Sequence, residues 1–286
     1  MANLTAILLV KNEEKNIETC VRSLGALPER ICVIDSGSED ATRERARALG
    51  AEVIEHPFHD YATQFNWALD NVGVKTKWVL RIDADEFYTP ALIEELEALL
   101  KAHESDDVNG VITESNFYFM GRRIDHGGSK KRKIVAFKYG HGFIEKRRMD
   151  EHTILTDGRA VEAKHRFDHR DFKDLSAWIN KLNAYADREA DDYFIDRERY
   201  ARGEVDLSGV GDERLMRTRR RKFRIYYRFP KFVRCQLLFL YQYVLRLGFL
   251  DGKEGFVYHW MYQRWYRTLV DAKILERERQ ESRGER

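Results

Sequence analysis

The sequence predicts an α/β protein: a mostly parallel sheet with helices on both faces, followed by a helical C-terminal appendage. Three observations carry this. Short apolar runs recur through the first part of the chain, and the segments between them repeat their apolar residues at helical spacing. Strands that alternate with helices pair in parallel through right-handed crossovers. Beyond about residue 205 the pattern changes to basic, aromatic and leucine-rich stretches. The expected division is therefore 1–205 for the sheet-bearing domain and 206–286 for the appendage.

The elements follow in order. Leu4–Val10 is a continuous apolar run, as expected of a parallel strand buried on both faces. After Asn12, Glu13 and Glu14, the residues Ile17, Cys20, Val21 and Leu24 share a helix face. Ile31–Ile34 is a second strand, and it ends in Asp35-Ser36-Gly37-Ser38-Glu39-Asp40. Ser36 and Glu39 have capping-box spacing, which predicts a helix starting there, and Gly37 permits a tight turn. A polar helix to about Leu49, a short strand over Ala51–Ile54, a helix over Gln64–Asn71 and a strand over Trp78–Ile82 complete the alternation. Thr89 and Pro90 form an N-cap and a first helical proline. Leu92, Ile93, Leu96, Leu99 and Leu100 then give one apolar face. Val108–Met120 reads as a further strand. Lys130–Lys133 reads as a solvated loop in preference to a phosphate clamp, and Gly127 with Gly128 would let backbone approach a ligand closely, a sugar if the resemblance described below holds. Asp174–Ala190 reads as a helix packing on the sheet domain through Leu175, Trp178, Ile179, Leu182 and Ala186.

The formal net charge of the 286 residues is +2, but Arg214–Arg234 holds ten Lys or Arg and no acid, leaving about −8 elsewhere. Cys20, Cys32 and Cys235 are odd in number and far apart, which points to reduced cytoplasmic thiols and to no metal-binding cysteine spacing. Leu4–Val10 is too short for a signal peptide, and Cys235–Leu245 is too short to span a bilayer. A Gly-x-Gly-x-x-Gly turn and a Gly-Lys-Ser/Thr loop are both missing, so neither a dinucleotide site nor a P-loop is supported.

Ligands of parallel sheets bind beyond the carboxyl ends of the strands. Three such ends are polar or acidic: Asn12-Glu13, Asp35, and Asp83-Ala84-Asp85. If the last strand continues extended, Asp83 and Asp85 share a face about 7 Å apart and repel unless a cation lies beside them. Hard oxygen ligands select Mg²⁺ or Mn²⁺, with the shell completed by substrate phosphates. The alternative is a solvated acidic turn.

Val10-Lys11-Asn12-Glu13-Glu14, Val33-Ile34-Asp35-Ser36-Gly37-Ser38 with Asp40, and Ile82-Asp83-Ala84-Asp85-Glu86 together resemble family-2 glycosyltransferases of the GT-A fold. The branch that makes lipopolysaccharide core and exopolysaccharide is the nearest in pattern. The resemblance continues through His126-Gly127-Gly128, Met149-Asp150-Glu151-His152, Trp178 with Lys181 and Asn183, and Arg246–Gly255. It implies a Rossmann-like sheet and an inverting transfer of sugar from a nucleotide donor, a UDP-sugar above all, to a saccharide or lipid-linked acceptor. It implies that Glu13 and Asp35 hold the nucleoside, with Gln64 and Asn66 near the donor. Asp83 would lie near the ribose or the metal, and Asp85 would coordinate the metal. The alternatives for Asp35 and for Gln64 and Asn66 are a helix cap and a solvated helix face. The base that deprotonates the acceptor hydroxyl would be Asp150 or Glu151 by position.

Basic residues interleaved with Phe223, Ile225, Tyr226, Tyr227, Phe229 and Phe232, beside the apolar Leu237–Leu245, describe a segment lying in an anionic membrane interface. Tyr258–Tyr266 adds interfacial aromatics. A nucleic-acid patch and a packing surface are the competing accounts, and no nucleic-acid fold motif accompanies the segment. The expected protein is peripheral on the inner face of the cytoplasmic membrane. Its rivals are a sugar-1-phosphate nucleotidyltransferase, which would usually show a glycine-rich basic loop after the first strand, and a non-catalytic nucleotide-sugar binding module.

Overall fold

Leu4–Val10 forms the central strand, β1, and its side chains are buried on both faces. In this computed structural model, which describes residues 2–147, 151–202 and 225–284, β1 is flanked in parallel by β2 (Arg30–Asp35) and β4 (Trp78–Asp83). β3 (Glu52–Glu55) extends the sheet beyond β2. Leu4, Ala6, Leu8 and Val10 face α1 (Ile17–Ser23), α2 (Thr42–Ala48) and α4 (Pro90–Ala102). Ile7 faces α3 (Tyr61–Asn71) in a second core on the opposite face. One strand thus nucleates both layers, which is why its run is unbroken.

The helix starts follow local chemistry. Thr89 caps α4 by accepting the Leu92 N–H at 3.2 Å, and Pro90 opens it. Leu92, Leu96 and Leu100 are buried, each contributing about 1.5–3 kcal/mol. Asp60 caps α3 through the Thr63 N–H at 2.7 Å. The capping box expected at Ser36 and Glu39 does not form, and α2 starts at Thr42. Asp35 takes the N–H groups of Gly37 and Ser38 instead, and the Glu39 N–H goes to Asn12 Oδ1 at 2.8 Å.

Past β4 the sheet turns mixed. β5 (Glu86–Phe87) follows a two-residue turn. β6 (Val108–Phe119) is long enough to carry β7 (Arg122–Ile124), β8 (Arg132–Lys138), β11 (Arg159–Glu162) and β12 (Phe167–His169) along its two edges. β8 joins β6 to β4 antiparallel on both sides. β9 (Gly142–Ile144) and β10 (Thr153–Leu155) form a separate small hairpin sheet. The overall order is β3-β2-β1-β4-β8-β6-β12-β5, and it reverses direction around β1, the switch point where ligands bind in open α/β sheets.

The C-terminal helices are α5 (Leu175–Ala201), α6 (Val233–Leu240), α7 (Gly252–Tyr258) and α8 (Arg267–Ser282), with π-helical stretches over Tyr241–Leu245 and His259–Tyr266. α5 packs chiefly on α8, not on the sheet: Leu182, Ala186 and Ala190 meet Tyr266, Val270 and Ile274. Trp178 reaches the sheet extension, against Phe119. Tyr258, Tyr262 and Tyr266 stack in sequence at 5.5 and 5.3 Å, so these three tyrosines form a core spine rather than an interfacial belt. The loop at Gly127 and Gly128 docks here too. A Cβ on Gly127 would stand 2.1 Å from the buried His259 ring, and one on Gly128 would stand 2.3 Å from Arg246. Both have positive φ. The glycines therefore admit protein side chains; the expected sugar is not what their small size accommodates here. Among the described residues no helix is long and apolar enough to cross a membrane.

Candidate active site

The loops after β1 and β2 are stitched together. The Asn12 N–H donates to Ser38 Oγ at 2.9 Å, Glu13 N–H to Thr42 Oγ1 at 2.7 Å, and Glu14 N–H to Asp40 Oδ2 at 3.1 Å. Asn12 adopts φ +54° to allow this, which an asparagine tolerates. Asp35 is fully buried at the end of β2, opposite Val10 in register. One oxygen accepts the two N–H groups of its own turn, which leads into no helix, so Asp35 is not the helix cap offered as its alternative. The other, Oδ1, is buried with no partner among the described residues. A buried acceptor left unpaired is costly, so this oxygen is suited to a ligand's N–H or O–H.

Asp83 ends β4, opposite Leu9, and accepts the Tyr61 hydroxyl at 2.9 Å. Lys133 Nζ lies 3.3 Å from Asp83 and 2.6 Å from the buried Glu86. Burial alone would raise the Asp83 carboxyl, but Lys133 and Arg81 outweigh it and hold the group at about 2. Lys133 thus stands on β8 and reaches into the acidic cluster; it is not part of a solvated loop. The strand stops at Asp83, and Ala84-Asp85 is a turn. The extended geometry expected to align Asp83 with Asp85 is therefore replaced by a bend that gives each its own cations. Asp85 Oδ2 lies 3.3 Å from His169 Nε2 on β12 and 3.4 Å from Lys181 Nζ on α5. Burial would raise this carboxyl as well, and His169 and Lys181 hold it well below the usual carboxylate range.

Glu13 binds Lys173, and it accepts from Asn16 Nδ2 at 2.8 Å. Burial raises its carboxyl against the opposing pull of Lys173. Gln64 is buried, not on a solvated face. Its amide donates to Ser36 Oγ at 3.2 Å and to the His56 carbonyl at 3.0 Å, and its oxygen meets His56 Nδ1 at 2.7 Å. Both ends of the Asn66 amide are committed to the Ile144 backbone, at 2.8 and 2.9 Å, which ties α3 to β9. Asp150 lies outside the described residues. The backbone carbonyl of Glu151 accepts from Arg81 Nη1 at 3.3 Å, while Arg81 Nε donates to the Tyr61 hydroxyl at 3.0 Å. A polar chain therefore runs from Asp83 through Tyr61 and Arg81 to the Glu151 segment.

Sequence reading missed His169, Lys133, Lys173 and Lys181 as members of this site. They lie between 47 and 160 residues from the acids they meet. Two of them carried a signal: Lys181, as part of the block shared with the resembling family, and Lys133, in the basic run weighed as a phosphate clamp. Among the described residues, no group of three or more His, Cys, Asp or Glu side chains is arranged to hold a metal. Mg²⁺ and Mn²⁺ sites completed by substrate phosphates need only one or two protein ligands, and Asp85 with His169 supplies a carboxylate and an imidazole on one spot. The donor set fits such an ion.

A switch-point sheet with aspartates ending the two strands that flank β1, and helices on both faces, defines an α/β protein of the GT-A class. Glycosyl transferase family 2 matches residues 5–158, more than half of the chain, and the chain belongs to that family. An uncharacterized glycosyltransferase of Rickettsia typhi is 34% identical over 106 residues, 37% of this chain and 36% of that protein. The succinoglycan biosynthesis protein ExoA of Rhizobium meliloti is 28% identical over 138 residues, 42% of each. The chain thus spans well under half the length of these relatives. Among solved structures, glucosyl-3-phosphoglycerate synthase from Mycobacterium tuberculosis, in complex with Mn²⁺, UDP and glucosyl-3-phosphoglycerate, is 23% identical. Its TM-score is 0.33, over 40% of this chain and 44% of that one.

Proposed function

We propose that the protein transfers a sugar, with inversion, from a nucleotide-sugar donor to a saccharide or lipid-linked acceptor in the synthesis of a cell-envelope polysaccharide or lipopolysaccharide. The observation that carries this is the presence, beyond the carboxyl ends of the two strands that flank β1, of a buried unpartnered acceptor, Asp35 Oδ1, and of the Asp85–His169 donor set in the turn after β4. Asp35 accepts a hydrogen bond from the base or ribose of the donor, a UDP-sugar in our reading. Glu13 borders the same nucleoside, and Asp83 is held toward the ribose by Tyr61 and Lys133. Gln64 and Asn66 position the donor site indirectly, through Ser36 and β9. Asp85 and His169 would hold Mg²⁺ or Mn²⁺, which supplies charge neutralisation for the departing diphosphate. Asp150 or Glu151 takes the proton from the acceptor hydroxyl as the new glycosidic bond forms on the face opposite the leaving group.

The catalytic domain in this reading is 1–205 and the appendage 206–286; they meet through α5, through Phe117 and Phe119, and through the loop at Gly127 and Gly128. The appendage docks peripherally on an anionic membrane surface, on its cytoplasmic side, and binds no nucleic acid. Leu237, Leu240, Val244, Leu245, Phe249 and Trp260 are exposed on one stretch of the appendage, which supports this. The basic segment is reduced from the ten residues first counted. Arg234 is buried against Asp271, and Lys231 pairs with Glu278 at 2.8 Å, so neither is free for lipid. Arg214–Arg224 lies outside the described residues.

A screen of nucleotide sugars with Mg²⁺ or Mn²⁺, reading release of the nucleoside diphosphate, tests the reaction. Release from one donor, abolished by EDTA, is the expected result. Pyrophosphate release from a nucleoside triphosphate and a sugar phosphate would favour a nucleotidyltransferase, and binding without turnover a non-catalytic module.

A further inference from the structure

Two basic groups share one oxygen of Asp85, and they are unlike. His169 ends β12, and its ring is fixed edge-on to Phe117 at 5.5 Å. Lys181 comes from α5, across the crevice. Its side chain is 39% exposed, and its Nζ sits 3.4 Å from the same Oδ2 that faces His169. A lysine ammonium is a point charge on a flexible stem, free to change partners, whereas the imidazole has a fixed direction. The same pattern recurs next to it, where Lys173 covers Glu13.

We infer that Lys181 is a placeholder cation: it neutralises Asp85 until a nucleotide binds and moves onto the nucleotide's diphosphate when a divalent ion takes the carboxylate, so that metal and nucleotide enter as a pair. This rests on the donor-site reading given above. A divalent ion arriving alone would meet an ammonium already on its carboxylate, with Lys131 adding to the positive field at Asp85. A diphosphate arriving with the ion reverses that balance, because its oxygens give Lys181 a new anionic partner within reach of its old one. Neither a glycine-rich loop nor a basic residue on α3 supplies phosphate contact in this chain, and Lys181 fills that part from the opposite side of the crevice.

Titration calorimetry with Mn²⁺ alone, UDP alone, and UDP in the presence of Mn²⁺ tests this on the wild-type chain, Lys181→Met and Lys181→Arg. Methionine keeps helix propensity and stem length, and circular dichroism and melting curves check the fold. In the wild type each ligand should tighten the other. Lys181→Met should bind Mn²⁺ alone about tenfold more tightly and UDP with Mn²⁺ about tenfold more weakly, the size of a charged hydrogen bond gained or lost. Lys181→Arg should restore most of the coupling. Coupling unchanged in Lys181→Met overturns the inference while leaving the donor site intact. A wild type that binds neither UDP nor Mn²⁺ overturns the donor site and this inference together. Unfolding of Lys181→Met would make the lysine structural and also overturns it.

Discussion

Asp85 and Asp271 are carboxylates with little solvent exposure, 13% and 1% of their side chains, and each has two or more basic or N–H partners, yet they are built to opposite ends. Asp271 lies in the C-terminal helices against Arg234, and both side chains are 2% exposed or less. Arg234 Nε and Nη2 both reach Asp271 Oδ1, the Phe232 N–H occupies Oδ2 at 2.8 Å, and the guanidinium lies 4.6 Å over the Tyr227 ring. Short bonds, a planar fork and aromatic cover leave that carboxylate closed. Asp85 is held at 3.3 and 3.4 Å by a fixed imidazole and by a partly exposed lysine that can let go. The difference teaches that buried charge alone does not mark a functional site. What marks it is whether the partners have somewhere else to go. Variants of the closed cluster should cost stability and spare ligand affinity, while variants of the open one should do the reverse.

The largest expected effect lies at the base. One of Asp150→Asn and Glu151→Gln should lower turnover by about 10²–10⁴-fold while UDP affinity and melting temperature stay near wild type, measured by steady-state kinetics and calorimetry. Normal transfer by both variants would remove the base assignment. Next comes the closed cluster: Asp271→Ala strands the Arg234 charge and should cost about 3–5 kcal/mol in urea unfolding. The matched pair Arg234→Met with Asp271→Leu removes both charges and should recover most of that loss, which a cycle of the two single variants and the double variant would measure. The smallest effect on folding belongs to the exposed apolar stretch. Leu245→Ser should shift unfolding by less than about 0.5 kcal/mol, because this side chain is among the most exposed of the large apolar ones. The same variant should lower binding to anionic vesicles in cosedimentation, and unchanged binding would count against this stretch as the membrane face.

The parts of the fold legible in the sequence are those whose cause is local. β1, β2, β4 and α4 are written as runs and periodicities, and Asp35 and Asp83 stand at strand ends because the apolar runs stop there. What escaped was set by topology. Lys133 reaches Asp83 only because β8 returns antiparallel beside β4. His169 reaches Asp85 because β12 pairs with β5. Two local readings also failed for tertiary reasons. The capping box at Ser36 lost to the stitching of two loops, and the glycines at 127 and 128 serve His259 and Arg246, side chains more than 110 residues away. Basic composition likewise concealed that Arg234 has a buried acid opposite it.

The central claim is that the crevice acids bind a metal–nucleotide pair instead of holding the fold. Asp85→Ala tests it most directly, with UDP binding in the presence of Mn²⁺ and thermal melting measured on the same samples. Removing this carboxylate strands no trapped charge, because Lys181 can turn to solvent. The account predicts that metal-dependent UDP affinity falls by at least about tenfold, while the melting temperature stays within about 2 °C of wild type. A variant that binds UDP with Mn²⁺ as the wild type does, or one that loses its fold, would contradict it.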